Sequence, residues 1–237
     1  MNRLLITEIT RMGPAFCVIG LHHEKDKIHS VRPITATANS WLRFPYRRGD
    51  VLTCDLAALP GGKPHIEDRV STQGFRKEST LPEAEVVKYL RRAEMARSLS
   101  ELFGCALHAN KNGSGLHAWP SEAQRSICGA RTRNVRLELC ANELRATLVL
   151  ESGEVLRDLP VVDRDWRDFV EAALAADRGA NPVVRLGRFL NSRFHGEIVS
   201  CPHHFIRLGL TRPYHELCWV MLDTLFPLPR REWLQEF

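Results

Sequence analysis

The sequence lacks a long hydrophobic run, because nowhere do about 18 apolar residues follow one another. We therefore expect no transmembrane helix. The first ten residues, MNRLLITEIT, place Arg3 and Glu8 around a short apolar stretch. A secretory signal would need a longer apolar segment and a small-residue cleavage site. These absences predict a cytoplasmic protein that makes no contact with a membrane.

The cysteines lack the even number that is typical of a disulfide framework. There are seven, and no secretory signal accompanies them. We therefore expect free thiols in a reducing compartment. Most of them lie in apolar, strand-like runs such as AFCVIG and RLELC. This placement predicts small core residues.

Motifs of catalysis are also missing. The segment Asn112–His117 has neither the longer glycine pattern of a phosphate loop nor the glycine spacing of a nucleophile elbow. Asp163, Asp165 and Asp168 are explained by the start of a helix, where carboxylates favour the positive end of the dipole. The sequence therefore predicts a binding protein rather than an enzyme, with no cofactor.

What the sequence does contain is a succession of short strand-like runs separated by turns. Five such runs in residues 1–80 predict a small closed barrel such as an OB-fold, in which closure removes exposed edges. The segment 79–83, STLPE, has a hydroxyl cap and an early proline, which predict a helix that continues to residue 103 and stops at Gly104.

A second strand-rich stretch follows, with predicted helices at residues 163–176 and 182–190. We therefore predict a mainly β protein with some α-helix (α+β), built from two OB-like β-barrel modules joined by a helix. The first module covers residues 1–80, the connecting helix covers 81–103, and the second module with its inserted helices covers 104–237.

Positive charge is concentrated in the first half of the chain. Residues 1–118 contain 17 Lys and Arg against 12 Asp and Glu, whereas residues 119–237 contain 16 of each. The formal net charge of +5 therefore belongs to the N-terminal half. A basic half can attract phosphates at long range, although a solvated surface with a mild imbalance gives the same count.

Basic and aromatic residues alternate in the segment 41–48, WLRFPYRR, which follows Arg32. Aromatic rings can stack on bases while arginines hold the phosphates. The alternative is a loop whose aromatics pack into the core and whose arginines are solvated. The predicted nucleic-acid-binding residues, including a thinner pattern late in the chain, are Arg32, Trp41, Arg43, Tyr46, Arg47, Arg48, Arg207, Arg212 and Tyr214.

Two groups of cysteine and histidine invite a zinc interpretation. The first comprises Cys201, His203, His215 and Cys218, and the second comprises Cys105, His108 and His117. The spacing of the first group matches no common structural zinc site. Strand alternation also places Cys218 and Val220 on one face, which favours core packing. We therefore predict no metal at either place.

Several segments resemble the dual OB-domain proteins of prokaryotes. The similar segments are the opening strand pair of residues 3–21, Ser30–Pro33, the strand of residues 49–56 with Pro64–Asp68 after it, Arg207–Tyr214, and the closing strand of residues 217–225. The resemblance implies a pair of OB-like barrels that bind nucleic acid, in some cases linked to antiviral defence.

These observations predict a non-catalytic nucleic-acid-binding accessory protein that also has a protein partner. Two alternatives stay open. The first is a protein–protein adaptor that docks through the apolar C-terminal residues, which include Phe226 and Trp233. The second is a zinc-dependent enzyme built on His117, Cys201, His203 and His215.

Overall fold

The computed structural model describes residues 2–24, 27–36, 38, 40–59, 62–93, 95–110, 115–140, 143–176, 182–191 and 205–236. The described strands that precede residue 81 are β1 (Asn2–Met12), β2 (Ala15–Glu24), β3 (Lys27–Ile34), β4 (Asp50–Cys54), β5 (Leu56–Ala58), β6 (Asp68–Ser71) and β7 (Arg76–Thr80). They form one sheet in the order β5-β6-β3-β2-β1-β4-β7.

This first sheet begins with the predicted hairpin. β1 and β2 pair antiparallel across a turn at Gly13, whose φ of +61° suits a residue without a side chain. β3 continues the meander and then pairs parallel with β6. Only Asp55 separates β4, which pairs with β1, from β5, which pairs with β6. The sheet is curled, because the nearly continuous segment formed by β4 and β5 pairs with β1 near one edge of the sheet and with β6 near the other edge.

The connecting helix is shorter than the sequence predicts. α1 spans Glu83–Arg92 and does not continue to residue 103. Ala93 is already extended, and the chain then carries Leu102 and Phe103 into the core of the second sheet, where both are fully buried. Burying two large apolar side chains stabilises the fold more than extending an exposed helix would.

The later part of the chain is also rich in strands, namely β8 (Met95–Ala96), β9 (His108–Ala109), β10 (Leu116–Ala118), β11 (Ile127–Ala130), β12 (Thr132–Cys140), β13 (Glu143–Leu150), β14 (Val155–Pro160), β15 (Phe205–Leu210) and β16 (Cys218–Phe226). The second sheet has the order β8-β11-β15-β16-β10-β9, and β12, β13 and β14 form a third. β10 pairs antiparallel with β16.

Two helices lie where the sequence predicts them. They are α2 (Arg164–Ala176) and α3 (Pro182–Phe189). Asp163 caps α2, since its Oδ1 accepts hydrogen bonds from the backbone N–H groups of Asp165 at 2.9 Å and Trp166 at 3.2 Å. Trp166 is fully buried and belongs to the largest apolar core, with residues of all three later strands β12–β14.

The C-terminal segment packs on this core instead of facing outward. A 3-10 turn at Arg231–Glu236 places Trp233 against Trp166, with ring centroids 6.1 Å apart. Phe226, at the end of β16, is fully buried. The prediction that Phe226 and Trp233 dock a partner protein is therefore wrong, because both side chains are buried in the interior.

The protein is mainly β, with few helices and two strongly curled sheets, as the sequence predicts. No helix in the described part of the chain is long and apolar enough to cross a membrane.

Candidate functional site

A layer of buried charges lies between the first and second sheets, and it is called the polar layer below. Its charged members are Glu8, Arg32, Arg48, Asp68, Asp163 and Arg207, all of them buried. Ion pairs of this kind stabilise a protein only when further hydrogen bonds satisfy each group. The surroundings of each arginine show how that is achieved.

Arg207 on β15 pairs with Glu8 on β1. The guanidinium Nε donates to a Glu8 carboxylate oxygen, and Nη2 donates to the hydroxyl of Ser30 at 2.6 Å. Thr7 donates a further hydrogen bond to Glu8 at 2.7 Å. The register of β1 against β2 shifts between Ile6 and Glu8, and this bulge re-aims the side chains that follow it. The pair therefore joins the two sheets.

Arg48 makes the second connection. Its Nη2 lies 2.8 Å from Asp163 Oδ1, and its Nη1 donates to the Thr224 hydroxyl at 2.5 Å. Thr224 in turn donates to Asp163 Oδ2 at 2.5 Å. Asp163 thus caps α2 and neutralises Arg48 at once. The loop before β4 is fixed to the second sheet by this triangle.

Arg32 makes the third connection. Its Nη1 is 3.4 Å from Asp68 Oδ1 and 3.1 Å from His65 Nδ1, and its Nη2 donates to the Ser126 hydroxyl at 2.5 Å. Burial, with repulsion from Arg32 and Arg212, lowers the pKa of His65 to about 3. The His65 ring is therefore neutral at physiological pH, and its Nδ1 accepts the hydrogen bond from Arg32.

These contacts correct the predicted nucleic-acid-binding surface. Arg32, Arg48 and Arg207 were expected to be exposed, but each is buried and engaged with partners inside the protein. A guanidinium held in this way is unavailable to a phosphate at the surface. The sequence does not reveal this because the carboxylates that neutralise these arginines lie far away along the chain.

The aromatic residues of the segment 41–48 also turn inward. Trp41 is half-buried, donates from Nε1 to the Pro33 carbonyl at 2.9 Å, and lies 5.3 Å from the Phe75 ring. Tyr46 is half-buried as well, and its hydroxyl donates to the Phe75 carbonyl at 2.6 Å. Both pack against the core of the first sheet. The alternative interpretation of this loop, with its aromatics in the core, therefore describes the structure better.

The remaining predicted residues are exposed or half-buried. Arg43 and Arg47 are exposed. Arg212 is half-buried and pairs with Asp68 at 2.5 Å, whereas Tyr214 is 65% exposed and its ring contacts His215. Among the predicted set, only Arg43, Arg47 and Tyr214 present a largely exposed side chain to solvent.

The zinc interpretations gain no support from the residues that the structure describes. Cys201 and His203 lie outside those residues, while Cys218 is buried and His215 is exposed. His108 and His117 do stack, with ring centroids 5.7 Å apart. Within the described ranges, no group of three or more potential ligands is arranged to hold a metal ion.

One surface feature was not predicted from the sequence. It is a groove beside β2 and β3, made of two adjoining cavities of about 820 and 400 Å³. Both cavities share His22, Ile28 and Arg69 in their linings, so they form one elongated depression. Its length runs from α1 to the start of β11. We call it the β2–β3 groove.

The β2–β3 groove is lined by three arginines and three histidines, and by two acidic residues, Glu24 and Glu67. Arg69 donates to the carbonyls of Ile66 and Asp68 at 2.8 and 2.7 Å, and Arg125 donates to the Leu102 carbonyl at 2.9 Å. A guanidinium that is bound to a carbonyl keeps its full charge. The Glu67 carboxylate accepts hydrogen bonds from the backbone N–H groups of Ser126 and Ile127 and from the Ser126 hydroxyl.

Ring-bearing and apolar side chains alternate with these charges. The rings belong to His22, His23, His29 and Tyr89. Tyr89, on α1, is 38% exposed, and Leu5 and Leu21 form part of the apolar floor. Flat rings beside fixed cations can hold bases and phosphates together. One sequence signal was available for this site, the polar run HHEKDK of residues 22–27, which includes the end of β2 and the start of β3, but it carries no motif.

Comparison of the chain with known proteins identifies no relative: no protein-family model, no curated protein and no solved structure matches it.

Proposed function

We propose that this protein binds single-stranded nucleic acid in the β2–β3 groove and acts as a non-catalytic accessory subunit. The observation that carries the proposal is the elongated groove itself, lined by Arg69, Arg125 and three histidines. Phosphates would lie against the arginines, since backbone contacts supply most of the affinity in such complexes.

The groove favours single strands over a duplex. Histidine and tyrosine rings can stack only on bases whose faces are accessible, and in a duplex those faces are covered by neighbouring bases. The cavity of about 820 Å³ lies within the size range of sites that enclose small organic groups. A groove of this size suits a few unpaired nucleotides.

The strand connectivity of the first sheet supports an OB-like assignment for this module. An antiparallel β1-β2-β3 meander, a parallel β3–β6 pair and a β1–β4 pair occur together. OB-folds bind oligonucleotides on the face of their second and third strands, and the groove lies beside β2 and β3. Membership of the dual OB-domain proteins and a role in defence stay predictions.

A salt titration tests the proposal. Fluorescence anisotropy with labelled 12-nucleotide single strands of DNA and RNA, and with a duplex of the same sequence, would be measured from low to physiological salt. The logarithm of the association constant should fall linearly with the logarithm of the salt concentration, with a slope of about −0.7 for each phosphate contacted. Absence of binding to every probe even at low salt would contradict the proposal.

Adding negative charge at the groove should weaken this binding. In the Arg3→Glu/His23→Glu variant two exposed positions that line the groove become acidic. We expect the affinity at low salt to fall by about tenfold or more, with a shallower salt slope. The matched control, Arg133→Glu/Arg157→Gln, makes the same change in formal charge at two exposed positions of the third sheet. Equal losses in both variants would point to nonspecific attraction.

A further inference from the structure

A second cavity, separate from the β2–β3 groove, lies at the polar layer. Its volume is about 190 Å³, and it opens between β1, β2, β3 and the β15–β16 pair. No residue that lines this cavity also lines either cavity of the groove. Taking about 30 Å³ for each water in the liquid, the space suits a ligand of about six heavy atoms.

Asp223 is the most unusual residue of this cavity. It is 3% exposed, and its Oδ1 has no hydrogen-bond partner among the described residues. Buried polar atoms are nearly always satisfied, so an exception needs an explanation. Arg32 provides a second exception, because its buried Nε also lacks a partner in the described part of the chain, and it too lines the cavity.

The backbone is shaped to hold Asp223 in place. Arg207 pairs with Thr224 and Leu208 pairs with Leu222, so Asp223 is the extra residue of a bulge in β16. Bulges re-aim side chains and are common beside functional sites. Gly209, opposite on β15, gives the carboxyl its space, since any side chain there would collide with it.

The carboxyl of Asp223 is neutral over most of the physiological range. Burial, with smaller effects of Glu8 and Asp163, raises its pKa to about 8 against the opposing effect of Arg32 and Arg207. Cys17, on β2, also faces the group, and burial raises the pKa of its thiol. A neutral carboxyl can donate a hydrogen bond, and so can the guanidinium of Arg32. The polar part of the cavity is thus rich in donors.

The rest of the lining is apolar and includes Met12, Ile19, Leu210 and Met221. We propose that this cavity binds a short aliphatic monocarboxylate, whose oxygens accept hydrogen bonds from Asp223 and from the unpaired Nε of Arg32. The alkyl part of the ligand contacts the methionines and Ile19. An amine would meet two guanidinium groups, those of Arg32 and Arg212, and a neutral amide would gain less from them.

Isothermal titration of the full chain with propionate, and with propionamide and propylamine as matched probes, tests this inference. Propionate should bind saturably at pH 6.5, and its affinity should fall about tenfold or more by pH 9.5 because Asp223 then loses its proton. The Asp223→Asn variant keeps a donor and should bind propionate without this pH dependence.

A cavity-blocking variant provides the control for location. Met12→Trp adds bulk at a partly exposed position that lines the cavity and should abolish propionate binding, whereas Leu42→Trp, at an exposed position outside the lining, should not change it. No saturable binding of propionate at pH 6.5, tighter binding of propylamine, or equal binding by the Met12→Trp variant would overturn the inference. Binding of single strands should be unchanged by Met12→Trp, so failure here is distinguishable from failure of the proposed function.

Discussion

The Arg207→Met variant is expected to lose about 3–5 kcal/mol of its free energy of unfolding. Removing the guanidinium leaves Glu8 fully buried without its counter-charge, and the Ser30 hydroxyl also loses a partner. Breaking one side of a buried pair is costly because the other charge stays desolvated. Urea denaturation at pH 7, followed by circular dichroism, measures the loss.

Two further variants test whether the loss of stability is specific to breaking a buried ion pair. Arg11→Ala removes an arginine whose pair with Glu171 is at the surface, so it should cost at most about 1 kcal/mol. Glu8→Leu/Arg207→Met removes both buried charges and should recover most of the stability lost in the single variant. If Arg207→Met lost no more than Arg11→Ala, the pair would not join the sheets as described.

The second large effect concerns Asp223 and pH. Because its carboxyl has a folded-state pKa of about 8, against 3.8 for an aspartate in the unfolded chain, the folded protein keeps a proton that the unfolded chain has released. The contribution of the protonated Asp223 carboxyl to the free energy of unfolding is therefore fully present below pH 3.8, and it is lost as the pH rises to about 8. The stability of Asp223→Asn relative to the natural chain should rise by about 1.4 kcal/mol per pH unit within this window.

Thermal or urea unfolding of both proteins at pH 5, 6, 7 and 8 checks this expectation. Glu122→Gln serves as the comparison, because Glu122 is an exposed carboxylate, and its replacement should change the pH profile little. A stability difference between Asp223→Asn and the natural chain that stays constant from pH 5 to 8 would show that Asp223 is ionised in the folded state.

Much of the fold can be predicted from local sequence patterns. The β1–β2 hairpin, the hairpin between β13 and β14, and α2 with its Asp163 cap all follow from alternation, turn residues and capping. The end of α1 at Arg92 cannot be predicted in this way. It depends on the distant core into which Leu102 and Phe103 pack, and no local signal describes that core.

The site was harder to predict, because nearby residues suggest solvent exposure where distant residues provide partners. The arginines of the segment 41–48 illustrate this, since Arg48 is neutralised by Asp163, 115 positions later. A usable signal was nevertheless present. Glu8, Arg207 and Asp223 each interrupt an otherwise apolar strand, and charged residues are almost never buried unless they are paired or functional.

The most direct test of the proposed binding surface compares the groove with the loop that the sequence favoured. Anisotropy titrations of one labelled single strand at low salt would be made with Arg3→Glu/His23→Glu and with Arg43→Glu/Arg47→Glu, which reverses the two exposed arginines of the loop. The β2–β3 groove predicts a loss of about tenfold or more in the first variant and a much smaller loss in the second. A large loss in the loop variant together with natural affinity in the groove variant would contradict it.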